Sequence, residues 1–350
     1  MLQVLKLRGT PHEVGFQHGK KITELLRGFF SLCYRSVQEI SEDKRLNTLR
    51  NVEEGLLVYY PEAIEEMRGI AEASGLSYED VLLMNFTSEV RTIAAQGCTA
   101  FSALNQATKT GDPITGKTRD MASQVYYPFQ VAMNISIRGK MQVFLAEAFS
   151  GMIVTGCGMN DHGLSINLNI IVKITDSDDT VGVQRAFLAR KVLEECSNVD
   201  EAIELFTETD LAYQGANFMV CDAEGSSAII EKSHHHQAVI FPENGILAMA
   251  NHFEDKKMKQ YEEFRVKNSP VRLQRMKEML LAELGKIDLS TSKRFLKDHK
   301  KGNELSICRH VLAGVNTVSA YLLEPRTRTI YVADGHPCSQ RFRKYEPFGR

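Results

Sequence analysis

The periodicity of this chain first changes between Gly97 and Cys98, and that change limits the folds open to it. Upstream, Val14, Ile22, Leu25, Leu26, Phe29, Phe30, Leu32 and Cys33 recur at helical spacing, and further helical passages are expected at 46–60, 61–73 and 78 to about 90. Thr10-Pro11-His12-Glu13 supplies a hydroxyl cap, a first-turn proline and a carboxylate three residues on, and Ser77 caps the later helix. Apart from a short strand-like start at 2–7, residues 1–97 therefore read as nearly all helix. From Cys98 to Ile171 the chain becomes short β-like runs divided by turns, such as "CTAFSAL", "PITGKTRD", "MQVFLAEAF" and "GLSINLNII".

Helices return at 184–195 and, behind an Asn198 cap, at 199–207. Strands return at 216–233, 236–251 and 317–334. Between the last two blocks lie a long charged helical region, 256–284, and a shorter one, 292–299. Ala223-Glu224-Gly225 and Pro242-Glu243-Asn244-Gly245 read as hairpin turns, which make the sheets largely antiparallel. The expected fold is α+β, a four-layer αββα sandwich of two such sheets covered by helices. No linker divides it, so one structural unit is expected, with a helical segment 1–97 and a catalytic segment 98–350.

Composition narrows the partners. A 43% hydrophobic, 25% charged chain with net charge -2 has no basic surplus to hold nucleic acid or an anionic membrane. No apolar run reaches membrane-spanning length, and the start lacks an apolar leader with a cleavage site, so a cytoplasmic location is expected. The seven cysteines are scattered without a C-x-x-C pair, which indicates neither a disulfide framework nor a zinc site and leaves most as buried free thiols. His234-His235-His236 is discounted as a metal site because adjacent strand side chains point to opposite faces. No metal and no cofactor are expected. The acidic run 176–179 reads as a loop over the site mouth.

Cys98 has two readings. A small hydrophobe at the start of a core strand is one. The other is chemical: Gly97 leaves the preceding carbonyl open, so the thiol can attack it in an N-to-S acyl shift whose thioester is hydrolysed. The new chain then begins at Cys98, and its α-amine, with a reference pKa of about 7.7 to 8.0, can act as base for its own thiol.

The segments "LRGTPHEVGFQHG", "GCTAF", "GKTRD", "GMNDHGLSINLN", "ANHF" and "SICR", in that order, resemble the acyl-coenzyme A:6-aminopenicillanic acid acyltransferase (isopenicillin N acyltransferase) family of N-terminal-nucleophile cysteine hydrolases. The resemblance runs from residue 1 to about 337 and implies the αββα fold, self-cleavage, and acyl transfer to or hydrolysis of a linear amide. It makes Cys98 the nucleophile and Gly97-Cys98 the processing bond. Asp120 matches the carboxylate near the new amine, Asn251 the side-chain amide of the oxyanion hole, and Asn169 its second donor through the backbone. Arg309 matches a buried arginine near the site, where it balances Asp120, binds a substrate carboxylate, or is structural. Lys117 matches a position held by arginine in penicillin V acylases.

Where the family commonly has "NWD" this chain has "TRD", which puts Arg119 beside the site; Ala100 replaces a frequent hydroxyl residue, and tryptophan is absent. A penicillin substrate is therefore not inherited. The partners implied are a small amide or acyl-thioester substrate, with acyl-coenzyme A as one donor, and the chain's own cleaved segment. The oligomeric state stays open, a homo-oligomer included. A choloylglycine-hydrolase or penicillin V acylase-like amidase, and an unprocessed binding protein on the same fold, are the alternatives.

Overall fold

A computed structural model describes residues 2–87, 96–121, 124–176, 181–300, 302–311 and 314–349. The first large sheet has eight strands in the order β1 (Gln3–Gly9), β4 (Gln130–Ile137), β5 (Val143–Phe149), β6 (Cys157–Asn160), β7 (Ser165–Ile171), β9 (Gly215–Cys221), β10 (Ser227–Lys232) and β11 (Gln237–Ile240). The second has six: β12 (Ile246–Met249), β2 (Gln96–Ala103), β3 (Ile114–Met121), β14 (Asn316–Glu324), β15 (Thr329–Asp334) and β16 (Arg343–Tyr345). A small ribbon pairs β8 (Lys173–Ile174) with β13 (Glu262–Phe264). Within the two large sheets every pairing among the described residues is antiparallel except β1 with β4.

The two sheets pack face to face. Ala100, Leu247 and Met249 of one meet Met219 and Ile229 of the other, while Phe144, Cys157 and Met159 pack with Tyr321, Leu323 and Val332. Polar pairs cross the same gap: Ser102 and Ser227 share a hydroxyl contact of 3.0 Å, and Asn167 Nδ2 donates to Thr115 Oγ1 at 3.1 Å. These two contacts satisfy the Ser102 and Ser227 hydroxyls and the Asn167 amide N–H inside the gap.

Helices cover both outer faces. α1 (Pro11–Lys21), α2 (Thr23–Ser36), α3 (Glu42–Tyr59), α4 (Glu62–Ser74), α5 (Tyr78–Asn85), α6 (Arg185–Glu195) and α7 (Val199–Glu208) share one core with the eight-stranded sheet. α8 (Ser269–Ala282) and α9 (Leu289–Leu296) share another with the six-stranded sheet, where Phe101 meets Phe295 edge-on at 5.7 Å. This is the four-layer αββα sandwich expected from the hairpins. Thr10 with Glu13 and Ser77 with Asp80 close reciprocal capping boxes, as read from the sequence for the first. The expected helix end near residue 90 and part of the acidic run 176–179 lie outside the described residues.

Two expectations need correction. The turn at 242–245 joins no hairpin: β11 belongs to the eight-stranded sheet and β12 to the six-stranded one, so the turn carries the chain across the sandwich. Asn244 and Gly245, at φ 54° and 75°, give the reversal, but turn chemistry does not say which sheet the next strand joins. The charged stretch 256–284 is not one helix. A 3-10 turn (Met258–Tyr261) and β13 precede α8, whose start is set by Pro270, a residue suited to a first turn and unable to continue a helix behind it.

Candidate active site

Strand β2 places Gly97 and Cys98 opposite Asp120 and Arg119 of β3, and the alternation of the strand separates their surroundings. On the helix-covered face, Thr99 and Phe101 turn toward α8 and α9. On the inter-sheet face, Ala100 packs between the sheets. Cys98, two residues before it, is buried at 7% exposure.

Gly97 is enclosed. A Cβ there would lie 2.9 Å from Arg309 Nη1 and 2.9 Å from Asp120 Oδ2, so only glycine leaves room for the ion pair beside it. Arg309 Nη1 and Asp120 Oδ2 are 3.5 Å apart, and Asp120 Oδ1 accepts from Thr317 Oγ1 at 2.7 Å. Thr317 is paired with Asp120 in the β14–β3 register and holds the Arg309 backbone through a 2.8 Å bond from Arg309 N to its hydroxyl. Asp120 and Arg309 are both nearly inaccessible, and Arg309 Nε has no hydrogen-bond partner among the described residues.

On the other side of the Gly97–Cys98 peptide, the Cys98 N–H donates to Asn251 Oδ1 at 2.8 Å. Arg272, fully buried on α8, completes this cluster: its Nη1 donates to Cys98 O at 2.5 Å and Thr99 Oγ1 at 2.6 Å, and its Nη2 to Asn251 Oδ1 at 2.9 Å. Burial brings the Arg272 guanidinium down to about 10, against the pull of Asp120. Asn251 Nδ2 donates to Ile170 O at 3.0 Å. Its amide oxygen, not its N–H, thus faces Cys98 while the peptide bond is intact.

Asn169 lies on β7 and acts one step away, its Nδ2 donating to Met249 O at 3.2 Å and Ala250 O at 3.3 Å. It braces the segment that delivers Asn251. Ser269 Oγ accepts from Asn251 N at 2.7 Å and meets His252 Nδ1 at 2.7 Å, so the start of α8 fixes the same segment from behind.

Lys117 and Arg119 share Glu147 of β5. Lys117 Nζ is 2.7 Å from Glu147 Oε2 and donates to Gly156 O at 2.9 Å, while Arg119 Nε is 3.2 Å from Glu147 Oε1. The Arg119 guanidinium also lies 4.3 Å from the Phe149 ring centroid. Burial opposes charge on Lys117 most strongly, but Glu147, Cys98 and Cys157 together raise its pKa on balance. The Cys98 thiol is pushed up to about 11 by burial; Lys117 pulls it down, and Glu147 and Asp120 push it up. In the uncleaved chain the thiol is therefore protonated at neutral pH.

The structure gathers Gly97, Cys98, Asp120, Asn251 and Arg309 around one peptide bond, with Lys117 and Arg119 linked to the thiol side and Asn169 in support. Arg272 and Glu147 are the residues that sequence reading missed. Arg272 lay inside a stretch read as a long charged helical region, and Glu147 inside a strand whose alternation names no partner.

A cavity of about 380 Å³ opens nearby between β10, β12 and α8. Its walls are mainly apolar, including Ile229, Leu247, Met249 and Leu280, with Asn217 and His252 on the side of Asn251 and Glu231 among its polar lining. Asn217 Nδ2 donates to His252 O at 2.9 Å, joining the cavity wall to the Asn251 segment. Cys98 is not among the lining residues.

The three consecutive histidines sit in the turn after β10 rather than within a strand. The expectation that adjacent side chains face opposite ways therefore fails here: the His234 and His235 ring centroids lie 3.8 Å apart beside Asp210, while His236 pairs with Asp176 at 3.0 Å. Among the described residues no helix is long and apolar enough to cross a membrane.

Residues 107–338 match the family model described as acyl-coenzyme A:6-aminopenicillanic acid acyl-transferase. An uncharacterized protein of Archaeoglobus fulgidus is 22% identical, the match covering 84% of this chain and 57% of the relative. Protein dcd1A of Dictyostelium discoideum is 21% identical over 60% of this chain and 54% of its own length. The chain thus spans little more than half the length of these curated relatives. Among solved structures it is similar to the Caenorhabditis elegans ortholog of N-acylethanolamine-hydrolyzing acid amidase, with TM-score 0.46 and 17% identity over 65% of this chain and 93% of that one. Penicillin V acylase from Agrobacterium tumefaciens gives TM-score 0.45 and 16% identity over 68% and 83% of the two chains.

Proposed function

The chain belongs to the acyl-coenzyme A:6-aminopenicillanic acid acyltransferase family, and we propose that it is a self-processing amidohydrolase or acyltransferase whose nucleophile is Cys98. The observation that carries this reading is the setting of the Gly97–Cys98 peptide, flanked by the Asp120–Arg309 pair on one side and the Asn251–Arg272 pair on the other.

That setting supports processing at this bond. Cys98 Sγ attacks the Gly97 carbonyl carbon as its proton is lost, the C–N bond breaks, and the departing nitrogen takes up a proton. Water then hydrolyses the thioester, leaving a Gly97 carboxylate and a free Cys98 amine. Arg272 holds the Cys98 carbonyl and Asn251 the Cys98 nitrogen, so the residue that becomes the new terminus is fixed at both ends. Arg309, whose Nη1 lies against Gly97, supplies positive charge on the side where negative charge develops.

In turnover the freed amine serves as base for the thiol, which takes the acyl group from a linear amide or an acyl thioester. To serve as an oxyanion donor alongside the Asn169 backbone, Asn251 must turn its amide so that Nδ2, which donates to Ile170 O in the uncleaved chain, faces the acyl carbon. Water as acceptor gives hydrolysis and an amine gives transfer. The apolar cavity beside Asn251 suits a nonpolar acyl chain.

Intact mass under denaturing conditions tests the first step. Wild-type protein is expected as two fragments meeting at Gly97/Cys98, and Cys98→Ala as one chain. A wild-type chain that stays whole, and whose Cys98 takes no label from an acylating thiol reagent, would instead favour a binding protein on this fold.

A further inference from the structure

Four side chains outside the Cys98 cluster converge at the end of the six-stranded sheet. His299, Cys308, His310 and Cys338 bring their donor atoms within 4.8 Å of one another. Cys308 Sγ lies 3.4 Å from His310 Nε2, and Cys338 Sγ lies 3.3 Å from the same nitrogen. The His299 and His310 ring centroids are 5.0 Å apart.

Hydrogen bonding accounts poorly for this arrangement. A neutral imidazole nitrogen offers either one proton or one lone pair, yet two sulfurs crowd His310 Nε2. A metal centre accounts for it directly. With Zn–S near 2.3 Å and Zn–N near 2.0–2.1 Å, a tetrahedral site puts sulfur and nitrogen about 3.5 Å apart. Both observed separations fall close to that edge.

We propose that His299, Cys308, His310 and Cys338 form a Cys2His2 site for a structural divalent zinc ion. Four protein donors leave no open coordination position, which is the mark of a structural rather than a catalytic zinc. The backbone is arranged to hold them. Cys308 N donates to Asp298 O at 3.0 Å, tying the His299 segment to the Cys308 segment. Cys338 follows β15 in a turn where Ser339 N and Gln340 N both donate to His336 O. The His336 ring stacks on His310 at 3.9 Å between centroids and fixes its plane.

The absence of a C-x-x-C pair hid this group from sequence reading. Its donors come from three separated segments, the end of α9, residues 308 and 310, and the turn after β15. Binding releases a proton from each thiol, so the ion is held as zinc dithiolate.

The site has a consequence for Gly97. Arg309 stands between two of the donors in sequence, and its guanidinium reaches Asp120 beside the processing bond. Zinc would therefore clamp the segment that delivers Arg309, which makes the metal a positioning group for that cluster.

The test is the zinc content of full-length protein purified under reducing conditions and exchanged free of loose metal. About one equivalent per chain is expected, unchanged in Cys98→Ala, and at least tenfold lower in Cys308→Ser and Cys338→Ser. Because Cys98→Ala should load equally, the outcome does not depend on whether the chain processes itself. Cobalt(II) added to metal-free wild type should give the visible bands of tetrahedral thiolate coordination, a readout that stands even if the serine variants misfold. Wild type that retains neither zinc nor cobalt overturns the proposal. So does protein in which Cys308 and Cys338 resist alkylation in denaturant without reductant, since that marks a disulfide.

Discussion

Arg272 donates to the carbonyl oxygen of Cys98, a residue 174 positions earlier, and the same guanidinium holds the amide oxygen that receives the Cys98 N–H. One buried cation thus fixes both backbone polar groups of the proposed nucleophile. Its own charge has no carboxylate bonded to it among the described hydrogen bonds; the pull of Asp120 acts through space.

Replacing Arg272 by methionine strands the oxygen atoms of Cys98 and Thr99 in a dry site. In the Cys98→Ala background, where the chain stays whole, Arg272→Met is expected to lower stability by about 3 kcal/mol in urea unfolding. In the wild-type background Arg272→Lys should slow processing at least tenfold, because an ammonium cannot span the same acceptors. Unchanged processing in Arg272→Lys would show that the planar guanidinium is dispensable.

Gly97→Ala tests the crowding at the processing bond. The added methyl meets two flexible side-chain tips, Arg309 Nη1 and Asp120 Oδ2, so the fold is expected to survive with a loss of about 1–2 kcal/mol. Cleavage should slow more than tenfold as the ion pair is pushed aside. Time courses of fragment appearance, followed by mass, provide the measurement.

The protonated state of Cys98 sets the pH dependence. A thiol pushed up to about 11 is neutral below that value, and its reactive thiolate grows as pH rises. Processing should therefore accelerate roughly tenfold per unit between about pH 7 and pH 9. Lys117→Met removes the cation that opposes the shift and should displace the profile to still higher pH. A flat rate across this range would mean that thiolate formation does not limit the acyl shift.

A second buried network ties α4 to α6. Arg190 of α6 bonds Glu66 of α4 through Nη1 at 3.0 Å and Nη2 at 2.6 Å, and Glu194 through Nε at 2.8 Å, while Tyr60 donates to Glu194 at 2.5 Å. Arg190→Met leaves Glu66 and Glu194 buried together and is expected to cost about 3–5 kcal/mol in thermal or urea unfolding. Double substitution with Glu66→Leu should recover part of that loss.

The sheets were legible because alternation and turn residues mark strands locally. "CTAFSAL" and "GLSINLNII" fall on β2 and β7. The crossing at 242–245 was not, since a tight reversal looks the same whether its strands pair or part. The residues flanking Gly97–Cys98 could be listed from motif order, but their partners could not. Arg272 works through contacts made only when α8 packs on β2, and a charged residue in a charged stretch gives no sign of burial. The His299, Cys308, His310 and Cys338 group had the same difficulty, with spacing set by the fold rather than by a local loop.

The parallel pairing of β1 with β4 runs over Gln3 to Gly9 and stitches the first strand of the chain into a sheet built otherwise from residues beyond the processing bond. A cut at Gly97 would not release a lobe. It would leave two polypeptides sharing one sheet and one apolar core, held by contacts made while they were still covalently joined. Such a protein could fold unimolecularly only once. After denaturation its pieces would have to meet by diffusion, so recovery would depend on concentration, and the mature form would owe its persistence to slow unfolding rather than ready repair.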